Sequence, residues 1–191
     1  MKFLFDAGHG GGKPGAIFDP DAAVSGDEVV EKDLNLEVVL TAGRLLRDKG
    51  HSVLYTRDRD VNLDNLRRKE MINDYKPDAF ISIHCNASEE HKSKGVEAFY
   101  RDDRDYPLAN IIQQTLAART GLKDRGVFQD TGQLGKRLTV LDDSEKTPAA
   151  LVEIGFIDNA VDRMYITKNI FTVAEGIADA IHSYAMQKGL A

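Results

Sequence analysis

Ala79-Phe80-Ile81-Ser82-Ile83-His84 is a short, nearly unbroken apolar run closed by a histidine. A strand that is apolar on almost every position belongs inside a parallel sheet covered on both faces. Similar runs lie on either side of it. Phe3-Leu4-Phe5, Ser52 to Thr56, Val96 to Tyr100, Leu138 to Leu141 and Ala149 to Ile154 read as further strands. Between them, Leu34, Val38, Ala42, Leu45 and Leu46 share one helical face that stops at Gly50. Leu108, Ile111, Ile112 and Leu116 repeat the pattern up to Gly121, and Ile170, Val173, Ala174, Ile177, Ala178 and Ile181 stripe a last helix. Leu63 to Asp74 is a weaker helix closed by Pro77. This alternation predicts an α/β fold, a mostly parallel twisted sheet of about six strands with helices on both faces, in a single domain over residues 1–191. In such sheets ligands collect just beyond the carboxyl ends of the strands.

Composition narrows the function classes. The chain has 191 residues, 42% of them hydrophobic, enough for one compact core and not for two large domains. Charged residues make up 29%, and no apolar run approaches the roughly 20 residues a membrane span needs. A net charge of −6 argues against generic attraction to nucleic acid or anionic membranes. The single cysteine, Cys85, excludes an internal disulfide framework and multi-cysteine zinc sites, so any metal must be held by histidine and carboxylate. The start, Met-Lys-Phe-Leu-Phe-Asp, lacks a secretory apolar core because Asp6 interrupts it.

Three polar residues stand at or near strand ends: His9 after Phe3-Leu4-Phe5, His84, and Glu153 within Leu151-Val152-Glu153-Ile154-Gly155-Phe156. A carboxylate in such a run is costly unless it is hydrogen-bonded, protonated or close to a metal. That leaves a structural and a functional reading of Glu153 open. His9 and His84 together supply two zinc ligands, and the third in an open site is commonly a carboxylate, with one position left for water. The candidates are Glu28 and Glu31. Ser25-x-x-Glu28 matches a helix capping box and occupies Glu28, leaving Glu31 free. His51, His91 and His182 end no inward strand and read as structural, and Cys85, facing away from His84, reads as core.

Gly10-x-Gly12-x-x-Gly15 satisfies the dinucleotide fingerprint by letter, but Pro14 and Phe18-Asp19-Pro20-Asp21 follow where a helix must open. The glycines beside His9 instead let the backbone turn sharply and leave the imidazole uncovered.

The chain resembles the zinc-dependent N-acetylmuramoyl-L-alanine amidases of the amidase-3 type, the catalytic domains of bacterial autolysins and many phage endolysins. The matching pieces follow in order: Asp6-Ala7-Gly8-His9-Gly10-Gly11, Glu31-Lys32-Asp33-Leu34-Asn35-Leu36, Tyr55-Thr56-Arg57-Asp58-x-Asp60, Arg68 with Asn73, Ser82-Ile83-His84-Cys85-Asn86, Asp124-Arg125-Gly126-Val127, and Leu151 to Asn159. The resemblance implies one zinc ion held by His9, Glu31 and His84, with Glu153 as the catalytic carboxylate, acting on the lactyl amide of peptidoglycan. Asn86, just past His84, is placed to exchange a hydrogen bond with the stem peptide and Arg125 to meet a peptide carboxylate, with a structural role equally open for each. Two features depart from the family: Cys85 stands where alanine is common, and Asp142 to Thr147 is unusually polar.

Members of the family that need activation carry a long inserted segment after the strand corresponding to Val96–Tyr100. Here only Arg101 to Arg104 precede the next helix, which predicts a site open without an activator. The acidic balance predicts a separate wall-binding module beyond Ala191. The start predicts a protein held inside the cell until release, as a phage endolysin or mother-cell autolysin, or else a trimmed domain of a secreted protein. Two rival readings share the residues: a zinc peptidase cutting the stem peptide, and a wall-binding module without catalysis.

Overall fold

The computed structural model describes residues 1–18, 28–133, 137–141 and 147–189. In chain order the elements are β1 (Lys2–Ala7), β2 (Ile17–Phe18), β3 (Val29–Val30), α1 (Glu31–Asp48), β4 (Ser52–Tyr55), α2 (Asn65–Tyr75), β5 (Ala79–Asn86), β6 (Val96–Tyr100), α3 (Tyr106–Thr120), β7 (Asp124–Gln129), α4 (Asp130–Gln133), a 3-10 turn (Thr139–Leu141), β8 (Ala149–Phe156), α5 (Ala160–Lys168) and α6 (Ile170–Gln187). The main sheet has six strands in the order β4-β1-β5-β8-β6-β7. Its first four run parallel, β6 is antiparallel to β8, and β7 runs parallel to β6. The expected α/β class and mostly parallel sheet are therefore present.

The two faces are unequal. Ile81, Ile83 and Cys85 point into a large core with Val38, Leu46, Leu116 and Ile177 of α1, α3 and α6. Phe80 points the other way, into a smaller cluster with Leu4, Phe99, Leu151, Met71 and Ile72 of α2, and Val140 and Leu141. Alternation along β5 and β8 puts Ser82, His84 and Glu153 on the side of the smaller cluster, near the upper edge of its apolar layer. The thin cover on that side leaves room for a site.

Helix ends follow local chemistry. The Asp64 side chain accepts from Arg67 N at 2.8 Å and starts α2, while Gly121, at φ +67, ends α3 as its position predicts. Beyond the short β2–β3 ladder and α4, which the sequence reading lacks, three details depart from it. The stretch read as a strand over Leu138–Leu141 is instead a 3-10 turn at Thr139–Leu141, and its apolar residues cap the smaller cluster and pair with no described strand. β7 was absent from the reading because it is a polar edge strand broken by Gly126 at φ +102. α5 is also additional, and its signal was Asn159, whose side chain accepts from Val161 N at 3.0 Å. No described helix is long and apolar enough to cross a membrane.

Candidate metal centre and active site

His9 lies just beyond β1, His84 near the end of β5, and Glu31 opens α1. One donor atom from each falls within 4.8 Å of the other two. Glu31 Oε1 is 3.0 Å from His9 Nε2 and 3.1 Å from His84 Nδ1, and the two rings are 5.1 Å apart. Donors about 2.0–2.2 Å from a tetrahedral ion lie about 3.3 Å from one another, so two imidazole nitrogens and one carboxylate oxygen at this spacing fit a divalent cation with an open fourth position.

The local backbone is built around these three side chains. His9 itself adopts φ +65, a conformation uncommon for a side-chain-bearing residue and one held here by surrounding contacts. Arg57 donates to the carbonyls of Ala7 at 2.9 Å and Gly8 at 3.0 Å, and Arg68 donates to that of His9 at 2.8 Å. Both guanidiniums are buried. A Cβ on Gly8 would lie 2.3 Å from the His84 ring, and one on Gly15 would lie 2.4 Å from Glu31 Oε2. These glycines give the donors their space. The β2–β3 ladder brings Ala16 N to Glu31 Oε2 at 2.8 Å.

Glu31 is buried at the amino end of α1, where the helix dipole favours an anion. Burial pushes its carboxyl up, but His84 and His9 outweigh this and hold it well below the usual carboxylate range. Glu28 is exposed and precedes β3, outside any helical turn, so the capping-box role expected for it is not realised; Ser25 lies outside the described residues. A layer behind the donors is anchored by Asp6, which is fully buried and paired with Arg68 Nε at 2.6 Å. Thr56 Oγ1 and Ser82 Oγ also donate to it, at 2.6 and 2.7 Å. Burial raises its carboxyl, but Arg68, Thr56 and Ser82 prevail and hold it below the ordinary range.

Glu153 stands beside His84 in the parallel β5–β8 register and opposite Glu97 in the antiparallel β6–β8 register. Its Oε2 is buried with no hydrogen-bond partner among the described residues. Burial, then the charges of Glu31 and Glu97, push the Glu153 carboxyl well above its ordinary value. Glu97 escaped the sequence reading, although Val96-Glu97-Ala98-Phe99 carries the same signal as Glu153, an acid inside an apolar strand. Asn86 and Arg125 converge on it: Asn86 Nδ2 donates to Glu97 Oε1 and Arg125 Nε to Oε2, each at 2.6 Å. A cavity of about 350 Å³ opens beside His9 and His84, bounded by Lys13, Leu63, Asn65, Leu138 and Leu151.

The remaining histidines lie apart from this cluster. His51 Nε2 meets His182 Nδ1 at 3.0 Å, and His91 Nδ1 meets Asp158 at 3.0 Å. Cys85 is buried in the large core. Gly10 and Lys13 form a small antiparallel bridge with no helix opening from it, contrary to a dinucleotide loop. β6 and α3 are joined by residues 101–105 alone, and among the described residues no helix follows β6 before α3. The polar stretch noted in the sequence lies outside the described residues over 142–146.

A family model described as N-acetylmuramoyl-L-alanine amidase matches residues 4–183. The germination-specific N-acetylmuramoyl-L-alanine amidase of Bacillus subtilis (strain 168) is 29% identical over 96% of this chain and 79% of its own length. The N-acetylmuramoyl-L-alanine amidase LytC of the same organism is 30% identical over 95% of this chain, which spans only 35% of that relative. Among solved structures, the catalytic domain of CwlV, an N-acetylmuramoyl-L-alanine amidase from Bacillus (Paenibacillus) polymyxa var. colistinus, has a TM-score of 0.82 at 30% identity, covering 96% of this chain and 97% of that one. With a match that runs from the first strand into the last helix and takes in His9, Glu31, His84 and Glu153, the chain belongs to the N-acetylmuramoyl-L-alanine amidase family.

Proposed function

We propose that the chain hydrolyses the amide bond between N-acetylmuramic acid and L-alanine in peptidoglycan, with one zinc ion held by His9, Glu31 and His84 and with Glu153 as the general base. The observation that carries this is the convergence of two imidazoles and a buried carboxylate within 4.8 Å, next to a strand position where Glu153 keeps an unpartnered buried oxygen. Bound there, the ion supplies a Lewis acid and brings the pKa of a bound water towards neutrality.

Glu153 has the properties of a proton carrier. Its Oε2 has no hydrogen bond to break among the described residues before it accepts a proton from the attacking water. Its raised carboxyl pKa then lets it return that proton to the departing alanine nitrogen. Glu97 fixes Asn86 and Arg125 beside Glu153, and the Arg125 guanidinium, held over the Phe156 ring at 4.9 Å, is the group that would meet a stem-peptide carboxylate. The place of action is the cell wall, and a wall-binding module joined to this catalytic fold remains part of the reading, since the chain spans 35% of LytC.

Product identification tests the proposal. Zinc-loaded protein on purified peptidoglycan should release fresh L-alanine amino termini while leaving glycan strands and stem peptides intact. New termini inside the stem would instead establish a peptidase, and no new termini together with co-sedimentation on the walls would point to a binding module.

A further inference from the structure

Behind the donor triad, a line of hydrogen-bond distances runs from a fully buried carboxylate to one imidazole: Asp6 Oδ2 to Ser82 Oγ at 2.7 Å, and Ser82 Oγ to His84 Nε2 at 3.1 Å. Asp6 and Ser82 are direct register partners on β1 and β5, so the sheet itself sets their spacing. Asp6 Oδ1 is taken by Arg68 Nε and Thr56 Oγ1, whereas Oδ2 has Ser82 as its hydrogen-bond donor.

We propose that Asp6 and Ser82 are positioning residues that place the His84 proton on Nε2 and so present Nδ1 to the metal, while His9 coordinates through Nε2. The inference rests on the zinc reading above. A carboxylate paired with Arg68 is an acceptor only, and a serine hydroxyl has one proton to give. If Ser82 spends that proton on His84 Nε2, Asp6 Oδ2 is left buried, charged and without a donor, a costly arrangement. Ser82 therefore donates to Asp6 and has only lone pairs left for His84, whose Nε2 must carry the hydrogen. The lone pair on Nδ1 then faces Glu31 Oε1 across 3.1 Å. Two acceptors face each other there, an arrangement that a cation between them satisfies. Residues behind metal-binding histidines fix ring orientation and tautomer in this way.

The test uses zinc-loaded protein. Long-range proton–nitrogen correlation NMR of the imidazoles should find His84 protonated at Nε2 and His9 at Nδ1. His84 protonated at Nδ1 in protein that holds zinc overturns the inference and leaves the zinc reading intact, whereas failure to hold zinc at all sinks that reading first. Two variants separate positioning from simple support of the fold. Ser82→Ala and Thr56→Val each remove one donor from Asp6, but only the former breaks the line to His84. Zinc affinity, measured by competition with a chromogenic chelator, should fall about 10- to 100-fold in Ser82→Ala and by clearly less in Thr56→Val. Equal losses in both would overturn the inference, and if Ser82→Ala does not fold, the tautomer of the parent protein decides.

Discussion

Glu97 stands directly opposite Glu153 across the antiparallel β6–β8 pair, with both its oxygens held at 2.6 Å, one by Asn86 and the other by Arg125. Like charges facing across a strand pair destabilise each other's ionised form, and Glu97 follows burial and Glu31 among the causes that raise the Glu153 carboxyl. A general base works deprotonated, so a raised pKa puts the acid limb of its rate profile at higher pH. Glu97→Gln removes a negative neighbour while keeping the shape. Its acid limb in kcat/KM should shift to lower pH, and an unmoved limb in the pH–rate profile would show that Glu97 has no electrostatic hold on the reaction.

Glu153→Gln separates chemistry from stability. If Glu153 is the general base proposed above, its loss lowers kcat about 10²- to 10⁴-fold, read by release of L-alanine termini. The same variant should stabilise the metal-free fold at neutral and alkaline pH. The sign follows from linkage: the folded pKa of Glu153 lies above its unfolded value, so the parent loses stability as pH rises through the unfolded pKa towards the folded one. Glutamine does not titrate. In thermal melts of metal-free protein, the difference in Tm between variant and parent should be smallest near pH 4 and widen as pH increases.

Gly8 and Gly15 should tolerate no side chain. Alanine at Gly8 drives a methyl to 2.3 Å from the His84 ring, and at Gly15, where φ is +75, to 2.4 Å from Glu31 Oε2. Both variants should bind zinc more weakly than the parent, with Gly15→Ala also lowering Tm because the conformation itself is strained for alanine. Equilibrium dialysis against zinc checks the first effect and calorimetry the second.

Arg68→Ala should cost about 3–5 kcal/mol of stability, because it leaves the Asp6 carboxylate buried without its cation. The pH signature has the opposite sign to that of Glu153. The Asp6 pKa is depressed in the fold, so its stabilising contribution is present above the unfolded pKa and is lost as pH falls towards the folded one. Denaturant titrations should therefore show the gap between parent and Arg68→Ala closing in acid.

Legibility in the sequence differed from element to element. The buried central strands were readable because both faces are covered, which makes Ala79–Ile83 and Ala149–Ile154 nearly continuous apolar runs. β7 was not, since an edge strand has no need of apolar residues on both sides and Gly126 interrupts it. Leu138–Leu141 was misread because four apolar and β-branched residues serve equally well as a strand or as a cap over Phe99 and Leu151. Glu31, which the fold does bring to the two histidines, was picked for a wrong reason, since Glu28, set aside as a capping residue, lies outside any helical turn. His9 and His84 announced themselves at strand ends. The supporting layer did not. Asp6, Thr56, Arg68 and Ser82 are far apart in the chain, and nothing in spacing or periodicity tells that β1, β4, α2 and β5 bring them within hydrogen-bond reach. Glu97 carries the same sequence signal as Glu153, an acid inside an apolar strand.

Zinc content by elemental analysis, measured in parallel on the parent, Glu153→Gln and His84→Ala, tests the central claim most directly. Three convergent donors with an open fourth position predict about one zinc per chain in the parent and in Glu153→Gln, and close to none in His84→Ala. A full complement of zinc in His84→Ala would contradict the account, because the ion would then be held somewhere other than between residues 9, 31 and 84.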